Sequence, residues 1–329
     1  MVESESPLVT FVLFAYNQKS FIAEAVKGAL SQTYSPLQII LSDDASTDGT
    51  YEVMREMVSK YEGPHEITLN KNPVNLGIGR HVNKIMEMVK GKFIVGAAGD
   101  DISDSNRVDT VLDIFLNSDE TIYSLWSDAR YIDAAGLPIP RKTHFNMVEV
   151  TDKTIVRNKT TLVGATHAWR REVFDFFGPL MDDVCYEDHA IAFRSHLLGV
   201  VRYLDRELVS YRTHAGSITN FTKMENPSVL YASAAKRTAW MLVAIAQRKK
   251  DLDFAVGELP GFRRDYRFLS GELPKLEHFF KRRLKSYQQF PKLSFNTVIA
   301  AFRDIEIAKV VVRSFLSYTS KHLAISRKY

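Results

Sequence analysis

Two pairs of adjacent carboxylates suggest the chemistry of this chain most directly. Asp43-Asp44 and Asp100-Asp101 each follow a short apolar run. In an open α/β sheet, ligands bind beyond the carboxyl ends of the strands, so carboxylates at those positions face a ligand. Two adjacent Asp residues after a buried strand suit a hard divalent cation held against a diphosphate. The pairs therefore predict an enzyme that handles a nucleotide.

The elements that must position these carboxylates alternate between apolar runs and helical stripes. Runs at 8–15, 37–41, 67–69 and 93–97 predict strands, and each is followed by apolar residues at helical spacing. Strands and helices in this alternation predict an α/β fold with a mainly parallel sheet covered by helices on both faces. A further helix is expected over 188–198.

Charge divides the chain unevenly. Residues 1–222 hold 22 basic and 30 acidic side chains, a balance of −8, and residues 223–329 hold 21 and 9, a balance of +12. Together they give the net charge of +4. A break of this kind predicts two regions, a catalytic domain over 1–222 and a basic helical region over 223–329. We expect the boundary near 220–227.

Composition also bears on the compartment. A single cysteine, Cys185, rules out an intramolecular disulfide and fits a reducing compartment. The N-terminus is acidic and polar, unlike a signal peptide. No apolar stretch approaches the roughly 18–20 residues needed to span a bilayer. We therefore expect a cytoplasmic location.

The loops after the predicted strands carry polar side chains that suit a nucleotide. The first strand ends in Ala15-Tyr16-Asn17, where a backbone and an amide could grip a flat base. The second ends at Asp43-Asp44, and residues 46–50 are rich in helix-capping types. Taken alone, that segment is equally well explained as a cap and turn. Asn75-Leu76-Gly77 follows the third strand, and Arg80 after it could face a base or phosphate, or form a surface ion pair.

Together these segments resemble the inverting family 2 glycosyltransferases, whose catalytic domain has the GT-A fold. The family's first strand ends in a small residue, Tyr and Asn, as at Ala15-Tyr16-Asn17. Its D-D-x-S-x-D-G-T element matches residues 43–50, and its N-x-G element matches Asn75-Leu76-Gly77. The resemblance covers about residues 7–222. It implies a GT-A-type, mainly parallel sheet flanked by helices, with a C-terminal, mostly helical extension.

The resemblance implies a nucleotide-sugar donor, with a UDP-sugar first among the candidates, and a divalent cation, Mn²⁺ or Mg²⁺. In the family a D-x-D element holds the metal and the donor ribose. Here Ala98 stands at the first carboxylate, Asp100 keeps the second and Asp101 follows. The implied metal ligands are Asp100, Asp101 and His214, the last from an element at 211–219. The implied donor-binding residues are Ala15, Tyr16, Asn17, Asp43, Asp44, Asn75, Gly77, Arg80, Gly99 and Asp100.

The resemblance also implies a general base. In an inverting transfer an acceptor hydroxyl attacks the anomeric carbon, and a carboxylate takes its proton, contributing roughly 10²–10⁴-fold. Glu187-Asp188 matches the family's E-D pair, with Asp188 as the base and Glu187 as a supporting or acceptor-binding carboxylate. Trp169 lies in the stretch that corresponds to the acceptor site, where it could stack on a sugar or be part of the core. Arg212 or Ser217 could meet the diphosphate.

These assignments predict a metal-dependent inverting glycosyltransferase of hexosyl or N-acetylhexosaminyl type. We expect it to act in bacterial surface-glycan assembly on a glycan or lipid-linked glycan acceptor. One alternative is a nucleotidyltransferase on a related fold, but the loop at 16–20 lacks the glycines typical of that class. Another is a non-catalytic glycan-binding or scaffold relative, which Ala98 makes conceivable. Asp100, Asp188 and His214 together argue against such decay.

The basic C-terminal region requires a partner of its own. No nucleic-acid-binding motif occurs in it, so nucleic acid is not expected. Amphipathic helices with basic and apolar faces lie on anionic membranes. Residues 295–312 supply an apolar face, and Arg303, Lys309 and Arg313 are nearby. The sequence therefore leaves open a peripheral position on the inner membrane face, packing on the catalytic domain, and a homo-oligomer.

Overall fold

The computed structural model describes residues 6–140, 149–214, 227–262 and 264–288. Within them, eight strands form one sheet. The strands are β1 (Val9–Ala15), β2 (Leu37–Asp43), β3 (Glu66–Lys71), β4 (Phe93–Ala98), β5 (Ile102–Ser103), β6 (Ile122–Ile132), β7 (His167–Arg170) and β8 (Val200–Arg212).

The sheet has the strand order β3-β2-β1-β4-β7-β6-β8-β5. Strands β1 to β4 run parallel to one another, which confirms the parallel half of the predicted sheet. Each is joined to the next through a helix, as parallel connections require. The other half is mixed, because β7 is antiparallel to both β4 and β6, whereas β8 is parallel to β6 and antiparallel to β5.

Helices cover the sheet and form the C-terminal part of the described chain. None of the described helices combines the length and the apolar character needed to cross a membrane. The helices are α1 (Ile22–Leu30), α2 (Thr50–Ser59), α3 (Ile78–Met86), α4 (Arg107–Leu116), α5 (Asp152–Val156), α6 (Glu172–Phe177), α7 (Glu187–Leu198), α8 (Pro227–Glu258) and α9 (Tyr266–Gln288).

The core lies between the parallel strands and the helices that pack on them. Strand β2 is buried at every position, and β1 is buried at every position except Phe14. Apolar strands of this kind are expected where both faces of a parallel sheet are covered. Helix α1 buries Ile22, Ala25, Val26 and Ala29 against the same cluster. This packing fixes the strand ends that carry the predicted motifs.

The chain separates into two compact units. The first comprises residues 1–217 and 243–273, and the second comprises 218–242 and 274–329. The second half of α8 therefore belongs to the same unit as the sheet. Within the described part of the second unit, the rings of Tyr231 and Tyr287 lie 6.2 Å apart.

Two predictions about the C-terminal region fall largely outside the described residues. The expected boundary near 220–227 lies mostly within residues 215–226, which are outside the described residues. The expected apolar face at 295–312 is also outside them. Both stay predictions. Helices α8 and α9 confirm that the extension is mostly helical in its described part.

Gly79, in the first turn of α3, allows close contact with the loop before α7. A Cβ at this position would lie 2.5 Å from the Val184 carbonyl oxygen, a backbone atom that cannot move aside alone. We expect Gly79→Ala to lower the free energy of unfolding by about 1–3 kcal/mol, measured by urea denaturation. The control is Gly271→Ala in α9, where a Cβ meets no atom within 4 Å. That change should be neutral or stabilising, and equal effects of the two changes would contradict the tight contact at Gly79.

Candidate active site

The predicted motifs converge at one edge of the sheet. In the parallel ladders Ala15 pairs with Asp43, and Phe14 pairs with Ala98. Beyond these pairs the Asp44 amide donates to the Ala15 carbonyl at 2.9 Å, and the Gly99 amide donates to the Phe14 carbonyl at 2.9 Å. The loops after β1, β2 and β4 therefore lie side by side, where open α/β sheets bind ligands.

The two carboxylates at the end of β2 have different partners. Asp44 accepts hydrogen bonds from the Asn72 side chain at 2.8 Å and from the Leu76 and Gly77 amides at 2.9 and 3.0 Å. Asp43 accepts from the Ser46 amide at 2.9 Å, whereas its Oδ1 is buried without a partner in the described chain. Asp44 thus orders the loop after β3, and Asp43 retains an unsatisfied acceptor.

The loop after β1 is tied to the loop after β2 through Asn17. The Asn17 amide donates to Ser46 Oγ at 2.8 Å, and its Oδ1 accepts from the Thr47 amide at 2.9 Å. Its φ of 51° lies in the left-handed region, which Asn adopts more readily than most residues. The Tyr16 ring beside it is half exposed. The loop predicted to bind the nucleobase is therefore held in place by hydrogen bonds, and the Tyr16 ring is accessible beside it.

The loop after β3 presents Arg80 at the surface. Asn75 Oδ1 accepts from the Gly77 amide at 3.0 Å, and Gly77 has a φ of 73°, a conformation that suits glycine. Arg80 is exposed, and its Nε donates to the Leu76 carbonyl at 2.8 Å. An exposed Arg80 is consistent with the predicted phosphate or nucleobase contact.

A buried polar network beneath this loop was not predicted from the sequence. Ser42 Oγ lies 2.6 Å from His81 Nε2 and accepts from the Asn70 amide group at 2.9 Å. Asn70 also donates to Asn72, the residue that holds Asp44. Burial lowers the pKa of His81, against the opposing effect of the two carboxylates. In the sequence Ser42 and Asn70 each directly follow a predicted apolar run, and nothing there identifies their partners.

The carboxylate after β4 lies beside the predicted histidine. His214 Nε2 is 3.0 Å from Asp100 Oδ2, although the two residues are 114 positions apart. Both side chains are mostly buried, with 14% and 16% of their surface exposed. A Cβ on Gly99 would lie 2.5 Å from Gln18 Oε1 and 2.9 Å from Ile22 Cδ1, so both side chains would have to shift. The structure thus brings two of the three predicted metal ligands together.

Asp101, the third predicted ligand, has a different environment. Its Oδ1 accepts from the Arg212 amide at 2.7 Å, and its Oδ2 is buried without a partner among the described residues. Burial, and then the neighbouring Asp100, raise the pKa of Asp101 well above its usual value. In the described chain no group of three or more His, Cys, Asp and Glu side chains is arranged to hold a metal. The metal role of Asp101 stays a prediction.

Arg212 has its partners inside the protein. It is 2% exposed, pairs with Glu24, and donates to the carbonyl oxygens of Asp100, Asp133 and Ala134. These internal partners do not favour the contact between Arg212 and the diphosphate, which stays a prediction. The other candidate, Ser217, lies outside the described residues.

Helix α7 begins with Glu187 and Asp188, the two carboxylates from which the general base is predicted to come. Asp188 Oδ1 accepts from the His189 amide at 2.7 Å. A Cβ on Gly164 would lie 3.1 Å from Asp188 Oδ2, so this glycine leaves room for the carboxylate. Burial, and then the charge of Asp188, raise the pKa of Glu187 well above its usual value. Desolvation and a neighbouring like charge both disfavour the ionised carboxylate, so the protonated form of Glu187 is favoured relative to an exposed glutamate.

A buried arginine from α8 completes the surroundings of the base. Arg248 is 1% exposed and donates to the Val156 carbonyl at 2.9 Å and to the Asn158 side chain. Burial lowers its pKa to about 10, and Asp188 is the strongest opposing charge. This placement could not be predicted from the sequence, where Arg248 is counted with the excess of basic residues in the C-terminal region.

A cavity of about 110 Å³ lies against Glu187 and Asp188. We call it the base cavity, after the predicted general base Asp188. It extends from the nucleotide side of the sheet to α7. Its walls include Ala97 and Ala98 at the end of β4, His167 and Trp169 on β7, and Glu187 and Asp188 on α7.

Two side chains of the base cavity have no polar partner within the described chain. His167 is 1% exposed and both its ring nitrogens are unpaired, and Trp169 is 4% exposed with an unpaired indole nitrogen. Burial lowers the pKa of His167 to about 4, so the ring is neutral at neutral pH. Buried polar groups without a hydrogen-bond partner are costly and uncommon in folded proteins. Trp169 thus lines the cavity as a buried wall, and its acceptor role stays a prediction.

A larger open cleft of about 540 Å³ lies elsewhere, between the loops after β1 and β2 and helix α2. Asp48, Glu52 and Glu56 line it, with Lys19 as the only basic side chain among its described walls. This acidic surface repels phosphates, so we do not assign the nucleotide to it.

Comparisons with known proteins show which proteins this chain resembles. A profile described as Glycosyl transferase family 2 matches residues 10–177, a little over half of the chain. Chondroitin synthase of Escherichia coli is 30% identical over 130 residues, which cover 40% of this chain and 18% of that protein. The Escherichia coli enzyme UDP-Glc:alpha-D-GlcNAc-diphosphoundecaprenol beta-1,3-glucosyltransferase WfaP is 29% identical over 117 residues, 36% of this chain and 44% of that enzyme.

A solved structure resembles most of the chain. Mannosyltransferase PcManGT from Pyrobaculum calidifontis, in complex with GDP-Man and Mn²⁺, aligns with a TM-score of 0.55 and 16% sequence identity. The alignment covers 96% of this chain and 84% of that one. This likeness shows the fold. The matched segments span less than half the length of the two curated relatives named above.

Proposed function

Because the chain belongs to glycosyl transferase family 2, we propose that it transfers a sugar from a nucleoside-diphosphate donor to an acceptor hydroxyl with inversion. The observation that carries the proposal is the base cavity. It joins the nucleotide side of the sheet, at Ala97 and Ala98, to the carboxylates of Glu187 and Asp188. A donor sugar in this cavity would lie between its nucleotide and a base.

The nucleotide would bind at the loops after β1, β2 and β3. Asp43 has a buried acceptor oxygen without a partner in the described chain, and the N3–H of uracil is a donor that would satisfy it. Tyr16 offers an exposed ring beside it, and Arg80 an exposed cation for phosphate. UDP is therefore the first nucleotide to test.

A divalent cation would be held by Asp100 and His214, with Asp101 as the further predicted ligand. A carboxylate oxygen and an imidazole nitrogen 3.0 Å apart form a donor set that suits Mn²⁺ or Mg²⁺ better than an all-sulfur site. When bound, such an ion stabilises the negative charge of the departing diphosphate.

Asp188 would act as the general base. As the acceptor oxygen forms its bond to the anomeric carbon, the bond from that carbon to the diphosphate oxygen breaks, and the hydroxyl proton passes to the Asp188 carboxylate. In the protonated form that its raised pKa favours, Glu187 would donate a hydrogen bond to an acceptor hydroxyl and add no second negative charge. The positive charge of Arg248 interacts with the negative charge of Asp188.

The acceptor and the location are argued from the relatives and from charge. WfaP is named for a diphosphoundecaprenol-linked acceptor, which supports a glycan or lipid-linked glycan acceptor in bacterial surface-polysaccharide assembly. The basic region 223–329 would then favour a peripheral position at the anionic inner membrane face. The alternative is that the basic residues of this region form an interface between copies of the chain in a homo-oligomer.

The first test is nucleotide binding with and without metal. We expect UDP with Mn²⁺ to raise the melting temperature by several degrees, since a ligand at 100 times its Kd adds about 2.7 kcal/mol. GDP, dTDP and CDP serve as competing nucleotides, and Mg²⁺ as the second cation. No shift with any nucleotide would contradict the donor site and favour a non-catalytic scaffold.

The proposed metal ligand gives a sharper version of the same test. The measured quantity is the ratio of the UDP affinities with and without Mn²⁺. In His214→Ala this ratio should fall by at least about 10-fold, because one ligand of the ion is lost. His278→Ala, an exposed histidine on α9, is the matched control and should leave that dependence unchanged. Equal Mn²⁺ dependence in His214→Ala and the wild type would exclude His214 from the metal site.

A further inference from the structure

We infer that Asn72 is a positioning residue for the donor diphosphate, because it holds the loop after β3 and, through that loop, Arg80. This role rests on the function proposed above, in which Arg80 supplies a cation for phosphate. Asn72 itself touches neither the nucleotide nor the metal. It acts through Asp44 and Leu76, and its loss weakens binding of the phosphates more than binding of the nucleoside.

The inner hydrogen bonds of this connection are buried and fix the orientation of the Asn72 amide. Asn70 Nδ2 donates to Ser42 Oγ at 2.9 Å and to Asn72 Oδ1 at 3.0 Å. Asn72 Nδ2 donates in turn to Asp44 Oδ1 at 2.8 Å. Ser42, Asn72 and Asp44 are 0%, 3% and 4% exposed. Because the Asn72 oxygen accepts at one end, its nitrogen presents a donor to the Asp44 carboxylate at the other.

The outer hydrogen bonds connect Asp44 to Arg80. The Leu76 amide donates to Asp44 Oδ1 at 2.9 Å, and the Gly77 amide donates to Asp44 Oδ2 at 3.0 Å. The Leu76 carbonyl accepts from Arg80 Nε at 2.8 Å. Since the residue held by Asp44 also holds Arg80, a shift of this carboxylate moves the anchor of the guanidinium.

Asp44 is occupied by the loop and not by a ligand. Its two oxygens accept three hydrogen bonds, and little of its surface is exposed. Bonds to a carboxylate are roughly twice as strong as bonds between neutral groups, so they hold the loop firmly. Asp43 differs, because one of its oxygens is buried without a partner in the described chain. The donor contact expected of Asp44 from the sequence is therefore indirect.

Arg80 requires such an anchor because it is exposed. A free arginine side chain loses much rotamer freedom when it binds a phosphate. The bond to Leu76 uses the N–H group at Nε and leaves the N–H groups of the two outer nitrogens for a phosphate. A side chain that is restricted before the ligand arrives loses less entropy on binding, and the affinity is higher.

The test compares UDP with uridine, the nucleoside without phosphates, by calorimetry in the presence of Mn²⁺. The readout is the ratio of the UDP affinity to the uridine affinity, in which a loss common to both ligands cancels. Asn72→Ala should lower this ratio by about 10-fold, because the phosphates lose an oriented cation. Asn72→Ser should act in the same direction, since its hydroxyl is too short to meet both Asn70 and Asp44. An unchanged ratio in the folded variants overturns the inference.

A double-mutant cycle tests the connection to Arg80. Arg80→Ala alone should lower the ratio by about 10-fold. When it is combined with Asn72→Ala, the further loss should be less than about 3-fold, because the two changes remove one interaction. Fully additive effects would show that Asn72 acts independently of Arg80, and they overturn the inference.

Asn83→Ala is the matched control. Asn83 lies on α3 with Arg80, and its side chain forms two hydrogen bonds with the backbone of Leu180, at 2.9 and 2.8 Å. Its loss should lower stability, measured by urea denaturation, and leave the ratio of the two affinities unchanged. An equal fall of the ratio in Asn83→Ala and Asn72→Ala would indicate general destabilisation and contradict a positioning role for Asn72.

The same data separate this inference from the proposed function. If the wild type binds neither UDP nor uridine, the proposed donor site fails, and the inference fails with it. If the wild type binds UDP and the ratio does not depend on Asn72, the donor site stands and only the inference fails. If Arg80→Ala weakens uridine and UDP equally, Arg80 faces the nucleobase, and the role of Asn72 toward the diphosphate is overturned.

Discussion

Replacing Asp188 by Asn should lower kcat by about 10²–10⁴-fold, because Asn keeps the shape of the side chain and cannot take a proton. The Asn oxygen can still accept from the His189 amide, which holds the side chain at 2.7 Å in the wild type. Nucleotide binding should therefore survive. The measurement is release of the nucleoside diphosphate at saturating donor, together with UDP affinity in the presence of Mn²⁺. Unchanged turnover would remove Asp188 from the mechanism.

Glu187→Gln is the matched control for this prediction. Gln resembles the protonated form that burial favours for Glu187, so its loss of kcat should be much smaller than that of Asp188→Asn. A larger loss in Glu187→Gln would exchange the roles of the two residues.

The raised pKa of Glu187 also sets the sign of its effect on stability. Above the ordinary pKa of 4.5 the unfolded chain releases a proton that the folded protein keeps. The contribution of this group is therefore present below pH 4.5 and is lost as the pH rises toward the raised folded pKa. In Glu187→Gln that part of the pH dependence should disappear from urea denaturation curves.

The local sequence pattern was sufficient to predict the parallel half of the sheet and the positions of the motifs at the strand ends. Apolar runs set β1 to β4, and the rule that parallel strands align their carboxyl ends brings Asp43 and Asp100 to the same edge. The pairing of Asp100 with His214 followed from the family resemblance alone. The family assignment and the GT-A-type sheet are confirmed by the profile match and by the solved structure.

Neighbouring identical residues could not be distinguished in the sequence. Asp43 and Asp44 differ because Asp44 is held by the loop after β3, some 30 residues away. Asp100 and Asp101 differ because Asp101 accepts from the Arg212 amide, 111 residues away. In each case the role depends on a non-local partner, and local pattern contains no information about it.

Burial of charge was also invisible in the sequence. Counting charges assigns Arg248 and Asp251 to the basic C-terminal region, whereas the structure buries both within the sheet's own unit. Composition records how many charges a segment has, and only packing decides which of them leave water. The same reason explains why His167 was not singled out.

Asp251→Ala should lower the free energy of unfolding by about 3–5 kcal/mol, because it leaves the Arg194 charge buried without its partner. Arg194 Nε donates to Asp251 Oδ2 at 3.0 Å, and the two side chains are 0% and 2% exposed. Gln247 also donates to Asp251, at 2.8 Å, and accepts from the Met181 amide at 2.7 Å. Urea denaturation at pH 7 measures the change.

The pair also connects α8 to the helix that carries the base. Arg194 lies on α7 six positions after Asp188 and donates to the Gly178 carbonyl at 2.8 Å. Loss of Asp251 should therefore reduce kcat as well as stability, in the variant that remains folded at low temperature. Restoration of kcat by Asp251→Glu, without full restoration of stability, would show that charge and not exact packing positions α7.

Two controls decide whether burial is the cause. Lys60→Ala breaks a surface pair with Glu56 whose side chains are 71% and 68% exposed, and it should cost less than about 1 kcal/mol. Burial raises the pKa of Asp251 despite Arg194, so desolvation outweighs the attraction of the pair. Arg194→Met combined with Asp251→Leu should therefore be less destabilising than Asp251→Ala alone, because no charge stays buried. If the double variant is the worse of the two, the ion pair itself stabilises α7, and the argument from desolvation is wrong.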